Sequence, residues 1–165
     1  MSRAVLSIGS NLGDRLGYLR LAADRLSPYL EGASTVYQTP AWGPVDQDDY
    51  YNAVLIVVDE HASPADWLAR AQECEAAAER TRELRWGPRT LDVDVISVDD
   101  VISDDPLLTL PHPRAAERAF VLVPWRAVDP GAVLPGVGPV EALTRDLPAD
   151  EVARVVPVPD AVLQP

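Results

Sequence analysis

The chain has 165 residues, of which 47% are hydrophobic, and a formal net charge of −12. This length suits one domain, residues 1–165, with enough apolar side chains to build a core. The acidic balance argues against a nucleic-acid or anionic-membrane partner, because both attract basic proteins. All 14 basic residues are arginines, which excludes chemistry that needs a lysine.

No segment approaches the run of about 18 to 20 apolar residues that spans a bilayer, and the first residues lack a secretory signal pattern. Cys74 is the single cysteine, which excludes intramolecular disulfides and zinc sites built from several cysteines. We therefore expect a cytoplasmic protein.

The first half of the chain alternates strand and helix patterns. Apolar residues alternate over 3–9, which predicts a strand, and the turn cluster GSNLGD follows it and offers an N-cap. Apolar residues then recur every three or four positions, which predicts a helix over 14–27. Two further strands are predicted over 33–39 and 50–59, separated by the Pro/Gly/Asp-rich loop 40–49.

The second half begins with the strongest helix signal. Ser63 suits an N-cap and Pro64 suits the first helical position, so a helix is predicted over 64–81. The remaining predicted elements are a strand over 90–99, a weaker β segment over 101–110, one or two short helices over 111–128 and a helix over 139–147.

The order of the main elements is strand, helix, strand, strand, helix, strand. This order is typical of a split βαβ unit, which predicts an α+β, ferredoxin-like sandwich with an antiparallel sheet and helices on one face. Residues after about 135 would then be a C-terminal decoration of that sandwich. Fold alone does not determine function, so the candidate sites have to be considered separately.

Asp92 and Asp94 alternate along the strand predicted over 90–99. Side chains two positions apart in a strand share a face, so both carboxylates leave one side, about 6 to 7 Å apart. Oxygen ligands on a rigid strand suit Mg²⁺, which commonly takes one or two carboxylates and fills its other positions with water and phosphate oxygens. The alternative is an exposed strand face that carries two solvated acids.

Arginines crowd the segment before these aspartates, at positions 80, 82, 85 and 89. Arg80 and Arg82 have a structural alternative, because a helix C-terminus favours cations. Arg85 and Arg89 lie in the predicted loop and lack that explanation. Arginines pair bidentately with phosphate oxygens, so arginines beside paired aspartates indicate a triphosphate site.

The loop around 40–49 collects flat apolar surface and hydrogen-bonding groups. Thr39, Trp42, Tyr50 and Asn52 offer faces for stacking and edges for pairing, as a small aromatic heterocycle requires. An amide at the start of an apolar strand needs a partner, which favours a binding role for Asn52 over a set of core aromatics beside a long loop.

The motif LPHPRAAERAF, residues 110–120, adds a fourth cluster. His112 and Arg118 are candidates to contact phosphate, and Phe120 is a candidate for a stacking surface. Each of these three residues also has a purely structural explanation.

In this order, the motifs SIGSNLGDR, VYQTPAWGPVDQDDYYNAV, RWGPRTLDVDVI and LPHPRAAERAFVLVPW resemble the 6-hydroxymethyl-7,8-dihydropterin pyrophosphokinase family of folate biosynthesis. The resemblance covers about residues 4–135. It implies a ferredoxin-like fold and the transfer of pyrophosphate from MgATP to the hydroxymethyl group of the pterin, with release of AMP. It also implies a monomer whose partners are these small molecules.

The resemblance implies a role for each matching residue. Asp92 and Asp94 would hold two Mg²⁺ ions, and Arg80, Arg82 and Arg89 would act on the phosphates as catalytic residues. The residues implied in pterin binding are Gly9, Thr39, Pro40, Ala41, Trp42, Tyr50, Asn52, Trp86 and Phe120. The residues implied in ATP binding are Gln72, Glu75, Arg80, Trp86, Arg89, His112 and Arg118.

Two other functions fit parts of the sequence. Another D-x-D transferase, for nucleotidyl or glycosyl groups, would use the same metal chemistry but leaves the aromatic cluster around Asn52 unexplained. A small-molecule sensor on a ferredoxin-like sandwich would need no catalysis, but it leaves the four arginines and the paired aspartates unused.

Overall fold

The computed structural model of the protein describes residues 2–41, 43–78 and 90–163. The strands are β1 Ser2–Ser10, β2 Leu30–Ala33, β3 Tyr37–Thr39, β4 Tyr50–Asp59, β5 Asp92–Val98, β6 Val133–Leu134, β7 Gly138–Pro139 and β8 Val156–Pro157. The helices are α1 Arg15–Arg25, α2 Pro64–Ala77, α3 Ala119–Val128, α4 Val140–Asp146 and α5 Ala149–Ala153, with 3₁₀ turns at Ser27–Tyr29 and Ala115–Glu117.

The main sheet is antiparallel and has the order β5-β1-β4-β3-β8, with β2 also paired to β4. β1 lies between β4 and β5, so Gly9 is opposite Asn52 on one side and Asp92 on the other. β6 and β7 form a separate two-stranded sheet. The predicted α+β sandwich with an antiparallel sheet is confirmed.

Both faces of the main sheet are covered. On the first face, α1 and α2 pack with residues such as Leu6, Ile8 and Leu55 in one core cluster. On the second face, α3 packs with residues such as Val54 and Ile56 in another. The expectation that the helices share one face is therefore wrong for α3, because β4 is apolar on both sides and each side requires cover.

The predicted helices form where the capping residues indicate. Asp14 accepts a hydrogen bond from the Gly17 N–H at the start of α1. Ser63 and Asp66 form a complete capping box at the start of α2, and Pro64 occupies its first turn. α2 ends at Ala77, whereas the prediction extended this helix to residue 81. Residues 79–81 lie outside the described ranges.

Two β predictions need correction. The predicted strand 33–39 is two strands, because the Ser34 side chain accepts a hydrogen bond from the Val54 N–H and interrupts the ladder. The predicted β segment 101–110 forms only a single bridge, between Ser103 and Leu110. Asp105 accepts the N–H of Leu107 with its side chain, so this Asp-Pro segment turns instead of pairing as a strand.

The described residues after 135 contact the rest of the domain. Val140 of α4 is buried in the cluster under α3, and β8 pairs with β3. No helix in the described part of the chain is long and apolar enough to cross a membrane.

Leu6 provides a test of this core, because it is 0% exposed and packs between the sheet and the first-face helices. We expect Leu6→Ala to lower the free energy of unfolding by about 2 to 5 kcal/mol, since the lost apolar contacts leave a cavity. Leu107, which is 83% exposed, is the control. Leu107→Ala should change the free energy of unfolding by less than about 0.5 kcal/mol. Urea titrations measure both values, and equal effects would contradict the described packing.

Candidate active site

The second face of the sheet changes from apolar to polar along its strands. On β5, Ile96 lies in the core under α3, and Asp94 and Asp92 precede it on the same face. On β4, Val54 lies in that core and Asn52 precedes it. The polar residues of neighbouring strands are therefore side by side. They lie at the end of this sheet face that borders the open cleft, beyond the apolar core.

The polar end of this face forms a cleft with a volume of about 720 Å³. The predicted site residues that line it are Gly9, Thr39, Pro40, Ala41, Tyr50, Asn52, Asp92, Asp94, His112, Arg118 and Phe120. The lining residues that the sequence analysis missed are Ser7, Arg114, Glu117, Ala119, Glu151, Arg154 and Val155. The structure thus brings residues from opposite ends of the chain into one site.

Asp92 and Asp94 point into the cleft, as the strand alternation predicted. Both are half-buried, whereas Val93 and Val95 between and after them are buried in the first-face core. Asp92 is paired with Gly9 and Asp94 with Ser7 across the ladder to β1, so small side chains lie beside both carboxylates. Both aspartates line the cleft together with these small residues.

Arg118 connects the acidic pair to the aromatic part of the cleft. Its guanidinium nitrogen lies 4.0 Å from an Asp94 carboxylate oxygen, and its Cζ lies 5.5 Å from the centroid of the Phe120 ring. An ion pair at this distance between partly exposed groups contributes little to stability. It places a cation beside Asp94 in the cleft.

Asn52 is held in one orientation at the back of the cleft. It is 4% exposed, and the Thr39 hydroxyl donates a hydrogen bond of 2.6 Å to its Oδ1. A Cβ atom at position 9 would lie 2.7 Å from the Asn52 Nδ2, so only a glycine allows the amide to sit there. The fixed amide offers a donor edge to a ligand.

The end of the loop 40–49 is anchored to the turn between β1 and α1. The Asn11 Nδ2 donates to the Gln47 Oε1 at 2.7 Å and to the Asp48 carbonyl at 3.0 Å. Arg15 donates to the Asp49 carbonyl at 2.9 Å. The sequence analysis predicted only a turn and an N-cap here, and no local pattern indicates these contacts.

His112 is held as a neutral imidazole. Burial, together with the positive charges of Arg118 and Arg114, lowers its pKa from 6.5 to about 4. The Arg114 N–H donates to the His112 Nδ1 at 3.2 Å, so the proton of the neutral ring is on Nε2. His112 therefore presents a hydrogen-bond donor and not an acceptor.

Two predicted residues lie elsewhere. Gln72 is exposed on α2, and Glu75 accepts a hydrogen bond of 3.0 Å from the Val93 N–H at the edge of β5. Neither lines the cleft described above. Their roles on the nucleotide side stay predictions.

The remaining predicted residues lie outside the described ranges. They are Trp42, Arg80, Arg82, Arg85, Trp86 and Arg89.

The fold is an α+β sandwich with a polar cleft at one end of its main sheet. A family model described as 7,8-dihydro-6-hydroxymethylpterin-pyrophosphokinase (HPPK) matches residues 5–130. The chain belongs to this family, as the resemblance of its motifs indicated.

Curated relatives agree with this family. A 2-amino-4-hydroxy-6-hydroxymethyldihydropteridine pyrophosphokinase of Mycobacterium tuberculosis is 51% identical in an alignment that covers 91% of this chain and 87% of the relative. A protein of the same name from Aquifex aeolicus is 33% identical over 137 residues, or 82% of this chain and 85% of the relative.

Solved structures agree with the fold. The crystal structure of wild-type HPPK-DHPS of Plasmodium falciparum with pteroate has a TM-score of 0.67 and 12% identity to this chain. The similarity covers 87% of this chain and 44% of the solved one. At this low identity, the comparison supports the sandwich architecture alone.

Gly9 tests the close approach to Asn52. We expect Gly9→Ala to lower the free energy of unfolding by about 1 to 3 kcal/mol, because the new Cβ displaces the buried amide. Gly131 is the control, since a Cβ there meets nothing within 4 Å. Urea titrations measure the free energy of unfolding of both alanine variants. An unchanged value for Gly9→Ala would contradict the close approach of position 9 to Asn52.

His112 makes folding stability depend on pH. Because its folded-state pKa of about 4 is below the ordinary 6.5, the folded protein binds fewer protons than the unfolded chain between these values. The folded state therefore has its full stability above pH 6.5, where His112 is neutral in both states. Part of this stability is lost as the pH falls towards 4, because the unfolded chain binds the proton first. We expect His112→Gln to lose less stability than the wild type over this interval. Denaturant titrations at several pH values measure the free energy of unfolding of both proteins. If the two values fell in parallel with pH, the lowered pKa of His112 would be contradicted.

Proposed function

We propose that the protein transfers pyrophosphate from ATP to the hydroxymethyl group of 6-hydroxymethyl-7,8-dihydropterin, with release of AMP, in folate biosynthesis. The observation that carries this proposal is the convergence of the paired aspartates and the Thr39–Asn52 pair in one cleft. The paired aspartates suit a phosphate chain, and the Thr39–Asn52 pair suits a heterocycle. Membership of the pyrophosphokinase family supports the same reaction.

The pterin would occupy the part of the cleft formed by β3, β4 and the end of β1. Asn52, oriented by Thr39, would pair with the edge of the heterocycle, and Gly9 allows it to approach. Tyr50 and Phe120 bring aromatic rings into the same cleft, which suits stacking on a flat ring system. Backbone groups of Pro40, Ala41 and Trp42 would complete the pterin contacts, together with Trp86.

The phosphate chain would lie along β5 and the start of α3. Arg118 would provide a cation there, and the Nε2–H of His112 would donate a hydrogen bond to a phosphate oxygen. We further propose that Arg80, Arg82 and Arg89 contact the phosphates, that Trp86 packs on the nucleotide, and that Gln72 and Glu75 line the nucleotide side.

Asp92 and Asp94 fit a magnesium site. Two carboxylates on one strand face supply the oxygen ligands and the number of protein groups that Mg²⁺ commonly takes. Among the described residues, no group of three or more His, Cys, Asp or Glu side chains is arranged to hold a metal. We propose two Mg²⁺ ions here, which when bound would neutralise the charge of the triphosphate.

The residues of the chain would act mainly by positioning. The Thr39–Asn52 pair would orient the pterin so that its hydroxyl oxygen attacks the β-phosphorus in line with the departing AMP. The neutral His112 is already a donor on Nε2, so it would stabilise phosphate charge and would not accept the hydroxyl proton. No side chain of the cleft is needed as a strong general base.

We propose a cytoplasmic monomer whose partners are ATP and the pterin, with no nucleic-acid or membrane partner. The acidic net charge of −12 supports the absence of a nucleic-acid or anionic-membrane partner.

The experiment is incubation with MgATP and 6-hydroxymethyl-7,8-dihydropterin, followed by separation of the nucleotide and pterin products. We expect AMP and the pterin pyrophosphate in equal amounts. ADP, or pyrophosphate released as a free product, would contradict the proposed transfer and would favour another D-x-D transferase.

The aspartates test the metal assignment in the same assay. We expect Asp92→Ala and Asp94→Ala each to lower kcat on the order of a thousandfold with the fold intact, because the charge of the phosphates is no longer offset. Asp100 is exposed and does not line the cleft, so Asp100→Ala should retain wild-type activity. Full activity in either cleft variant would contradict the assignment, provided that circular dichroism confirms folding.

A further inference from the structure

A segment outside the family-model match forms one side of the cleft. The match ends at residue 130, whereas Glu151, Arg154 and Val155 line the cleft. We call residues 147–157, which contain α5 and β8, the C-terminal wall. Arg154 is exposed and ion-paired with Asp150 at 3.8 Å, so the apolar Val155 is the more informative member of the wall.

The C-terminal wall is attached to the strand that carries Thr39. In β8, Val156 pairs with Gln38 and Pro157 with Tyr37. The Val158 N–H just beyond it donates to the Val36 carbonyl at 2.9 Å. β8 therefore pairs with the side of β3 that faces away from β4 and restrains the position of β3 within the sheet.

Val155 also belongs to the cluster behind the aromatic part of the cleft. It is 8% exposed and is buried with Tyr37 of β3 and with Ala119 and Val123 of α3, and Phe120 packs against this cluster. The next residue, Val156, points the other way and is 52% exposed. One valine of the wall thus supports Phe120 and β3, while its neighbour faces solvent.

We propose that the C-terminal wall positions the pterin half of the cleft, and that Val155 is a positioning residue that acts through Phe120 and β3. Its apolar contacts fix the ring of Phe120 from behind, and the β8 ladder with Tyr37 and Gln38 restrains the strand that ends at Thr39. β5 lies at the opposite edge of the sheet from β8, so we expect the influence of the wall to be confined to the pterin. This inference rests on the proposed function, because it assumes that a pterin occupies the cleft.

The test compares Val155→Ala with Val156→Ala, which removes the same atoms from the solvent-facing side of the next residue in the wall. Calorimetry measures binding of 6-hydroxymethyl-7,8-dihydropterin in the presence of Mg²⁺ and α,β-methylene-ATP, and binding of the nucleotide analogue alone. We expect Val155→Ala to weaken pterin binding about tenfold, as for carbon atoms removed from a hydrophobic pocket, and nucleotide binding by less than about twofold. Val156→Ala should change neither, and Val155→Ile should retain most of the pterin affinity.

Several outcomes would overturn the proposal. Unchanged pterin binding in Val155→Ala, or equal losses for pterin and nucleotide, would show that the wall does not position the pterin half specifically. If Val155→Ala does not fold, Val152→Ala gives the same comparison, because Val152 is half-buried against the same cluster. A wild-type protein that binds no pterin would overturn the proposed function as well, which separates that failure from a failure of the wall alone.

Discussion

β4 is apolar on both of its faces, and this constraint determines how the rest of the chain is arranged. Leu55 and Val57 face one side and Val54 and Ile56 the other, so neither side can be left to water. α1 and α2 cover the first side and α3 covers the second. On the second side the strand begins with Tyr50 and Asn52, and the polar ends of the neighbouring strands lie beside them. The cleft is at the place where the apolar core of that face ends.

The cleft places groups of opposite charge close together. Asp92 and Asp94 share one strand face, Arg118 is 4.0 Å from Asp94, and His112 stays neutral because burial and two arginines lower its pKa. Phosphates with their counterions would add charges of both signs to this cleft, which would explain why carboxylates and an arginine are close together in an acidic protein.

Local patterns predicted the elements of the sheet and much of the site. The alternation around Asp92 and Asp94 indicated a shared face, and Ser63 with Pro64 indicated the start of α2; the structure has both. The strand predictions were wrong where polar side chains accept backbone N–H groups. Ser34 divides one predicted strand, and Asp105 turns the segment expected to be another.

The sequence by itself determined the order of strands and helices, the faces of their side chains and the types of residue available for chemistry, because these follow from local periodicity and composition. Only the tertiary structure decided which distant groups meet. The anchoring of the loop 40–49 by Asn11 and Arg15, and the support of Phe120 by Val155, join segments far apart in the chain. Such contacts depend on how the layers pack, which no local pattern encodes.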